Sequence, residues 1–102
     1  SEYNVFSEFK VFGDPFLDNC FTLNNFTAPA FQMRNNAEGV QLAIYPAESY
    51  PYLQIYTPPS RESIAVENLS GIPDSFNNKT GLIVLKPGNS RRFSTMYELK
   101  LV

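Results

Sequence analysis

Short apolar runs, each ended by proline, glycine or asparagine, are the feature that most limits what this chain can fold into. Eight prolines and five glycines are spread over 102 residues, and no segment repeats its apolar residues with the 3.6-residue period of a helix. Phe and Tyr make up 15% of the chain, and aromatic side chains favour strands. Together these features predict an all-β fold, in which antiparallel strands form part of a β-sandwich.

Three segments show the two-residue alternation of a strand most clearly, and they cover residues 52–57, 63–69 and 92–101. The last segment places its aromatic and leucine side chains on one face and its charged side chains on the other. Shorter strands are predicted at four further places, residues 21–23, 31–34, 40–45 and 82–85. A turn at residues 35–39 is expected to join two of these strands as a hairpin.

The size and charge of the chain exclude several classes of protein. A chain of 102 residues has room for one hydrophobic core, so residues 1–102 are predicted to form a single domain. The net charge is −2 and Lys and Arg form no run, which argues against a nucleic-acid or membrane partner. No apolar stretch is long enough to span a bilayer. Cys20 is interpreted as a small core residue, and one free thiol fits a cytoplasmic location.

Histidine is absent from the sequence, and this absence restricts the chemistry that the chain can perform. It removes the Ser–His and Cys–His nucleophile systems and all metal sites with histidine ligands. A single cysteine likewise cannot form a multi-cysteine zinc site. We therefore predict no metal and no cofactor, and any acid–base chemistry must come from carboxylates, tyrosines or lysines.

Glu67 is the carboxylate that the strand pattern singles out. It lies in a strand with apolar neighbours, where desolvation would raise the pKa of its carboxyl group toward the range useful for a general base. The alternative is that Glu67 lies on the solvent face of a two-sided sheet. The pattern alone favours that simpler interpretation.

Two further places carry side chains suited to binding a sugar. Gln54 shares its strand face with Tyr52 and Tyr56, and aromatic rings stack on the C–H faces of sugars while amides bond their hydroxyl groups. Ordinary cross-strand aromatic pairing would explain the same pattern. Asp18 precedes a predicted strand, where it either bonds ligand hydroxyls or caps a turn through its own backbone.

Five short sequence blocks follow one another in the second half of the chain. They are LQIYT at residues 53–57, SIAVE at 63–67, IPDSFN at 72–77, LKPG at 85–88 and the strand at 93–99. A sixth block, LDNCF at residues 17–21, precedes them. In order and spacing these blocks resemble the C-terminal part of the aldose 1-epimerase (galactose mutarotase) family, and the resemblance covers nearly the whole chain.

The resemblance implies a large antiparallel β-sandwich enzyme that interconverts the α and β anomers of a hexose. In the family a glutamate acts as general base on the C1 hydroxyl, and a histidine gives its proton to the ring oxygen. The resemblance assigns the base to Glu67 and the sugar-binding carboxylate and amide to Asp18 and Gln54. With these, Tyr52 and Tyr56 complete the predicted substrate site.

The chain also departs from the family, because the family's histidine acid comes from sequence before the aspartate block. We therefore expect residues 1–102 to be the C-terminal segment of a larger sandwich, and to have little activity alone. Such a segment would assemble with a missing N-terminal half or associate with itself.

Two alternative functions remain open at this stage. A hexose-phosphate epimerase would need a cation near the site, for which Arg61, Arg91 and Arg92 are available. A non-catalytic carbohydrate-binding module would use the same sugar-binding side chains, with Glu67 only accepting a hydrogen bond.

Overall fold

A computed structural model describes Phe9, Val11 and residues 16–102, which form six strands and one helical turn. In chain order these are β1 (Asp18–Thr22), β2 (Phe31–Asn35), β3 (Val40–Pro46), β4 (Tyr52–Tyr56), β5 (Ala65–Leu69), α1 (Ser75–Asn78) and β6 (Thr95–Leu101). The strands form two antiparallel sheets, ordered β1-β4-β5 and β2-β3-β6. The predicted all-β sandwich is confirmed. No helix among these residues has the length and apolarity needed to cross a membrane.

The three clearest strand predictions are confirmed, but two of the strands begin later than expected. β6 begins at Thr95 because its partner strand β3 ends at Pro46, directly opposite. One further hydrogen bond, from the Ala47 N–H to the Ser94 carbonyl at 3.0 Å, follows beyond the ends of the two strands. β5 begins at Ala65, opposite the last residue of β4, because Pro58 and Pro59 follow and end that strand. The predicted strand at residues 82–85 is wrong, since this segment pairs with neither sheet.

The first sheet has one polar face and one apolar face. Antiparallel pairing places its residues in rows, and the rows of the polar face are Asp18–Tyr56–Ala65, Cys20–Gln54–Glu67 and Thr22–Tyr52–Leu69. The opposite face contains Leu53 and Ile55, both buried. The Nδ2 of Asn68 on that face donates a hydrogen bond to the Tyr97 hydroxyl at 3.3 Å. The apolar face of the first sheet is therefore directed toward the second sheet.

The second sheet is centred on β3, where Ala43 and Ile44 are buried. Gln41 is also buried, and its side chain is satisfied by its neighbours in the sheet. Its Oε1 accepts hydrogen bonds from Nε and Nη2 of Arg34 at 2.9 and 2.7 Å, and its Nε2 donates to Oε1 of Gln32 at 3.1 Å. Burial of this polar side chain is possible because both ends of its amide have partners.

Thr57 fastens the end of β4 to the segment that precedes β1. Its side chain is only 1% exposed, and its hydroxyl accepts a hydrogen bond from Leu17 N–H at 2.8 Å. The Thr57 N–H donates to the Leu17 carbonyl at 2.9 Å. These contacts determine where Asp18, the next residue, enters the sheet.

Replacing Thr57 by Val should lower the free energy of unfolding by about 1–2 kcal/mol, because the Leu17 N–H loses its acceptor at nearly constant side-chain volume. Urea unfolding should show a lower midpoint with an unchanged slope. The matched control is Thr22→Val, at an exposed position in the same sheet, which should change stability by no more than about 0.5 kcal/mol. Equal effects of the two substitutions would contradict this role of Thr57.

Candidate functional site

A cleft of about 580 Å³ lies on the polar face of the first sheet. Its lining residues are Asp18, Gln54, Tyr56, Ala65, Glu67, Leu69, Gly71, Ile72 and Pro73. The first six belong to β1, β4 and β5 and form the floor, whereas the last three belong to the loop after β5 and form a wall. Asp18, Gln54 and Glu67 are separated by up to 49 positions in sequence and come together in this cleft because their strands are neighbours.

Asp18 and Gln54 are joined directly, since Nε2 of Gln54 donates a hydrogen bond to Oδ1 of Asp18 at 2.9 Å. An ionised carboxylate only accepts hydrogen bonds, so it determines which end of the amide turns toward it. The other end, Oε1 of Gln54, is buried and has no hydrogen-bond partner among the described residues. A buried acceptor without a partner is costly, so the hydrogen bond to Asp18 holds the amide in this orientation against that cost.

Glu67 lies directly beside Gln54, because the two residues are paired across β4 and β5. The side chain is exposed, so the desolvation that the apolar sequence neighbours suggested is not found. No described side chain donates a hydrogen bond to its carboxylate. The carboxylate is therefore available to accept a proton from a hydroxyl group held in the cleft.

The two tyrosines of β4 have different surroundings, although they share the face of Gln54. Tyr56 lines the cleft beside Asp18 and is 37% exposed. Tyr52 does not line the cleft. Its ring lies against Gly81, where a Cβ atom would come within 2.9 Å of Cε2 of Tyr52. Tyr56 thus presents an aromatic surface to the cleft, whereas Tyr52 supports the loop that forms the wall.

Side chains of the IPDSFN block and of Asn78, the residue that follows it, hold the wall of the cleft in place. Asp74 has a left-handed backbone, with φ of 65°, and its Oδ1 accepts a hydrogen bond from Nδ2 of Asn77 at 2.6 Å. Nδ2 of Asn78 donates to the Pro73 carbonyl at 2.9 Å. We did not predict from the residues themselves that Ile72 and Pro73 would line a site. The Pro-Asp turn pattern was the available signal.

Cys20 is not a core residue, which corrects the interpretation from sequence. It is exposed and lies beside Gln54 on the polar face of the first sheet. Partial burial raises the pKa of its thiol above the usual value of 9.0. The thiol therefore stays protonated at neutral pH and adds no charge next to the cleft.

The cleft contains two carboxylates, and no Arg or Lys lines it within the part of the chain that the structure describes. Arg61 lies over the ring of Phe16, with 5.1 Å between its Cζ and the ring centroid. Arg91 lines a second cavity, which shares only Gly71 with the cleft. The same part of the chain has no group of three or more potential metal ligands. A cleft with two carboxylates and no cation in its lining suits the hydroxyl groups of an uncharged ligand better than a phosphate.

Comparison with known protein families gives a match over most of the chain. The family model described as aldose 1-epimerase matches residues 1–98. This range includes every residue that lines the cleft. No curated protein and no solved structure matches the sequence.

Proposed function

Because the chain belongs to the aldose 1-epimerase family, we propose that its cleft binds a hexose and assists exchange between the α and β anomers. The observation that carries this proposal is the grouping of Glu67, Gln54 and Asp18 on one sheet face, with the Gln54–Asp18 hydrogen bond at 2.9 Å. A carboxylate beside an oriented amide is suited to a substrate with several hydroxyl groups.

Each group has a distinct part in the proposed reaction. Glu67 accepts the proton of the C1 hydroxyl group, and the bond between C1 and the ring oxygen breaks as the C1–O bond becomes a carbonyl. The ring oxygen takes up a proton, and ring closure on the other face of C1 gives the second anomer, with the two proton transfers reversed. Gln54 and Asp18 bind hydroxyl groups of the sugar, and Tyr56 contacts its C–H face.

The reaction also needs an acid that protonates the ring oxygen, and the 102 residues contain no histidine. Tyrosine and lysine are poor acids for this step at neutral pH, because their usual pKa values lie near 10. We propose that a histidine outside these residues supplies the proton, as it would if they formed the C-terminal part of a larger sandwich. A positioned acid contributes about 10²–10⁴-fold to such a rate, so the chain alone should be a weak catalyst.

Polarimetry of freshly dissolved α-glucose tests this proposal, with imidazole as a substitute for the missing acid. In a buffer without imidazole, the chain should add little to the spontaneous rate. Adding imidazolium should produce a chain-dependent acceleration beyond that of the buffer itself, because the acid then comes from solution. Glucose 6-phosphate should be a poorer substrate, since no cation lines the described cleft.

A parallel sugar titration, monitored by NMR, separates the catalyst from a carbohydrate-binding module. Chemical-shift changes at Gln54 and Tyr56 together with catalysis would support the proposal. The same shift changes without catalysis at any imidazole concentration would show that the cleft is a non-catalytic sugar site. If shift changes and catalysis were both absent, the cleft would have no role in sugar chemistry.

A further inference from the structure

β6 forms an edge of the second sheet, and all four of its large apolar side chains, Met96, Tyr97, Leu99 and Leu101, are exposed. Among the described residues, β6 pairs with β3 alone. Tyr97, Leu99 and Leu101 point to the same face and are 59%, 72% and 86% exposed. A long, apolar, exposed edge strand is a surface on which another strand can pair.

The backbone of β6 is ready to form such a pair. The Val102 N–H donates to the Gly39 carbonyl at 2.9 Å, and the Ala47 N–H donates to the Ser94 carbonyl at 3.0 Å. Even-numbered residues of β6 therefore direct their hydrogen-bonding groups toward β3. The odd-numbered residues direct theirs to the outer edge, where a partner strand would form hydrogen bonds with them.

The charges of β6 indicate what that partner strand is. We propose that β6 pairs antiparallel with β6 of a second copy of this chain, about a two-fold axis at Leu99. This register places Glu98 opposite Lys100 of the second copy, and the reverse. It also places Tyr97 opposite Leu101 of the second copy. The apolar face of the second sheet then continues from one copy into the other.

Neighbouring symmetric registers are excluded by like charges. A two-fold axis at Glu98 would place the two Glu98 carboxylates opposite each other, and an axis at Lys100 would do the same with the two ammonium groups. The register at Leu99 also makes the Glu98–Lys100 pairs non-hydrogen-bonded pairs, in which Cα atoms approach to about 4.5 Å. Opposite charges therefore meet where cross-strand side chains are closest, and self-pairing yields one six-stranded sheet.

This interface lies on the second sheet and shares no residue with the cleft, so its test is separate from the test of sugar binding. The chain of residues 1–102 should form a dimer that dissociates on dilution in sedimentation velocity. Glu98→Lys and Lys100→Glu should each raise the dissociation constant by about tenfold or more, because each turns two attractive pairs into repulsive ones. The double variant Glu98→Lys/Lys100→Glu should restore the original affinity, since opposite charges face each other again.

Mixing the two single variants gives a sharper test of the same register. In a heterodimer, the two lysines of one chain face the two glutamates of the other, so the mixture should associate more tightly than either variant alone. The matched controls are Glu62→Lys and Lys86→Glu, which make the same charge changes at exposed positions outside the strands. These controls should dimerise like the original chain.

Two results would overturn the proposal. One is that the chain remains monomeric over about three decades of protein concentration, because β6 would then not pair with a second copy. The other is a dimer that the single and double variants weaken equally. Hydrogen exchange adds an independent readout, because the N–H groups of Tyr97, Leu99 and Leu101 should be protected only in the dimer. Circular dichroism of every variant separates lost association from lost folding.

Discussion

Replacing Glu67 by Gln should lower the chain-dependent acceleration of glucose mutarotation by about 10²–10⁴-fold in the presence of imidazolium. The substitution keeps the size of the side chain and its ability to form hydrogen bonds, but it removes the group that accepts the C1 proton. Polarimetry at a fixed imidazole concentration measures the effect, after subtraction of the rate that the buffer alone supports.

The matched control for this experiment is Glu62→Gln, which changes an exposed carboxylate that does not line the cleft. Its rate should equal that of the original chain. Sugar binding by the Glu67→Gln variant should stay within a few-fold of the original, because Gln54 and Asp18 are unchanged. Undiminished catalysis by the Glu67→Gln variant would show that another group is the base.

Replacing Gly81 by Ala should lower the free energy of unfolding by about 2–5 kcal/mol. Gly81 has a φ of 75°, which L side chains rarely adopt. A Cβ atom there would come within 2.7 Å of the Gly71 Cα and 2.9 Å of Cε2 of Tyr52. Because Gly71 belongs to the wall of the cleft, sugar binding should weaken together with stability.

Gly88→Ala provides the control that separates backbone strain from steric conflict. Gly88 has a similar φ of 82°, but a Cβ atom there would meet nothing within 4 Å. Its replacement should cost only about 1–2 kcal/mol, the strain of a left-handed backbone, and should leave sugar binding intact. Urea unfolding of both variants measures the difference, and equal losses would mean that the contact between Gly81 and Tyr52 contributes nothing.

The Tyr52 side chain shows how far a pattern along one strand can be interpreted. Alternation correctly places Tyr52, Gln54 and Tyr56 on one face of β4. Which of these side chains faces the cleft depends on the loop after β5, which folds back so that Gly81 lies against Tyr52 and leaves Tyr56 open. The contact between Tyr52 and Gly81 joins residues 29 positions apart. It cannot be predicted from the apolar–polar alternation of either segment.

The strands at residues 52–56, 65–69 and 95–101 could be predicted from local sequence. Apolar–polar alternation marks a strand with one buried face, and proline limits where a strand can extend. The strand wrongly predicted at residues 82–85 shows the limit of that argument, since an apolar run needs a partner strand before it can become part of a sheet. Partner choice is a property of the whole chain.

The sequence alone determined the fold class, the faces of the main strands and, through its ordered blocks, the family. Only the tertiary structure decided that Gln54 donates a hydrogen bond to Asp18, that Glu67 is exposed beside them, and that Cys20 lies outside the core. The physical reason is that alternation specifies on which side of a strand a residue lies. Whether that side meets solvent, a neighbouring sheet or a ligand depends on long-range pairing and on the path of the loops.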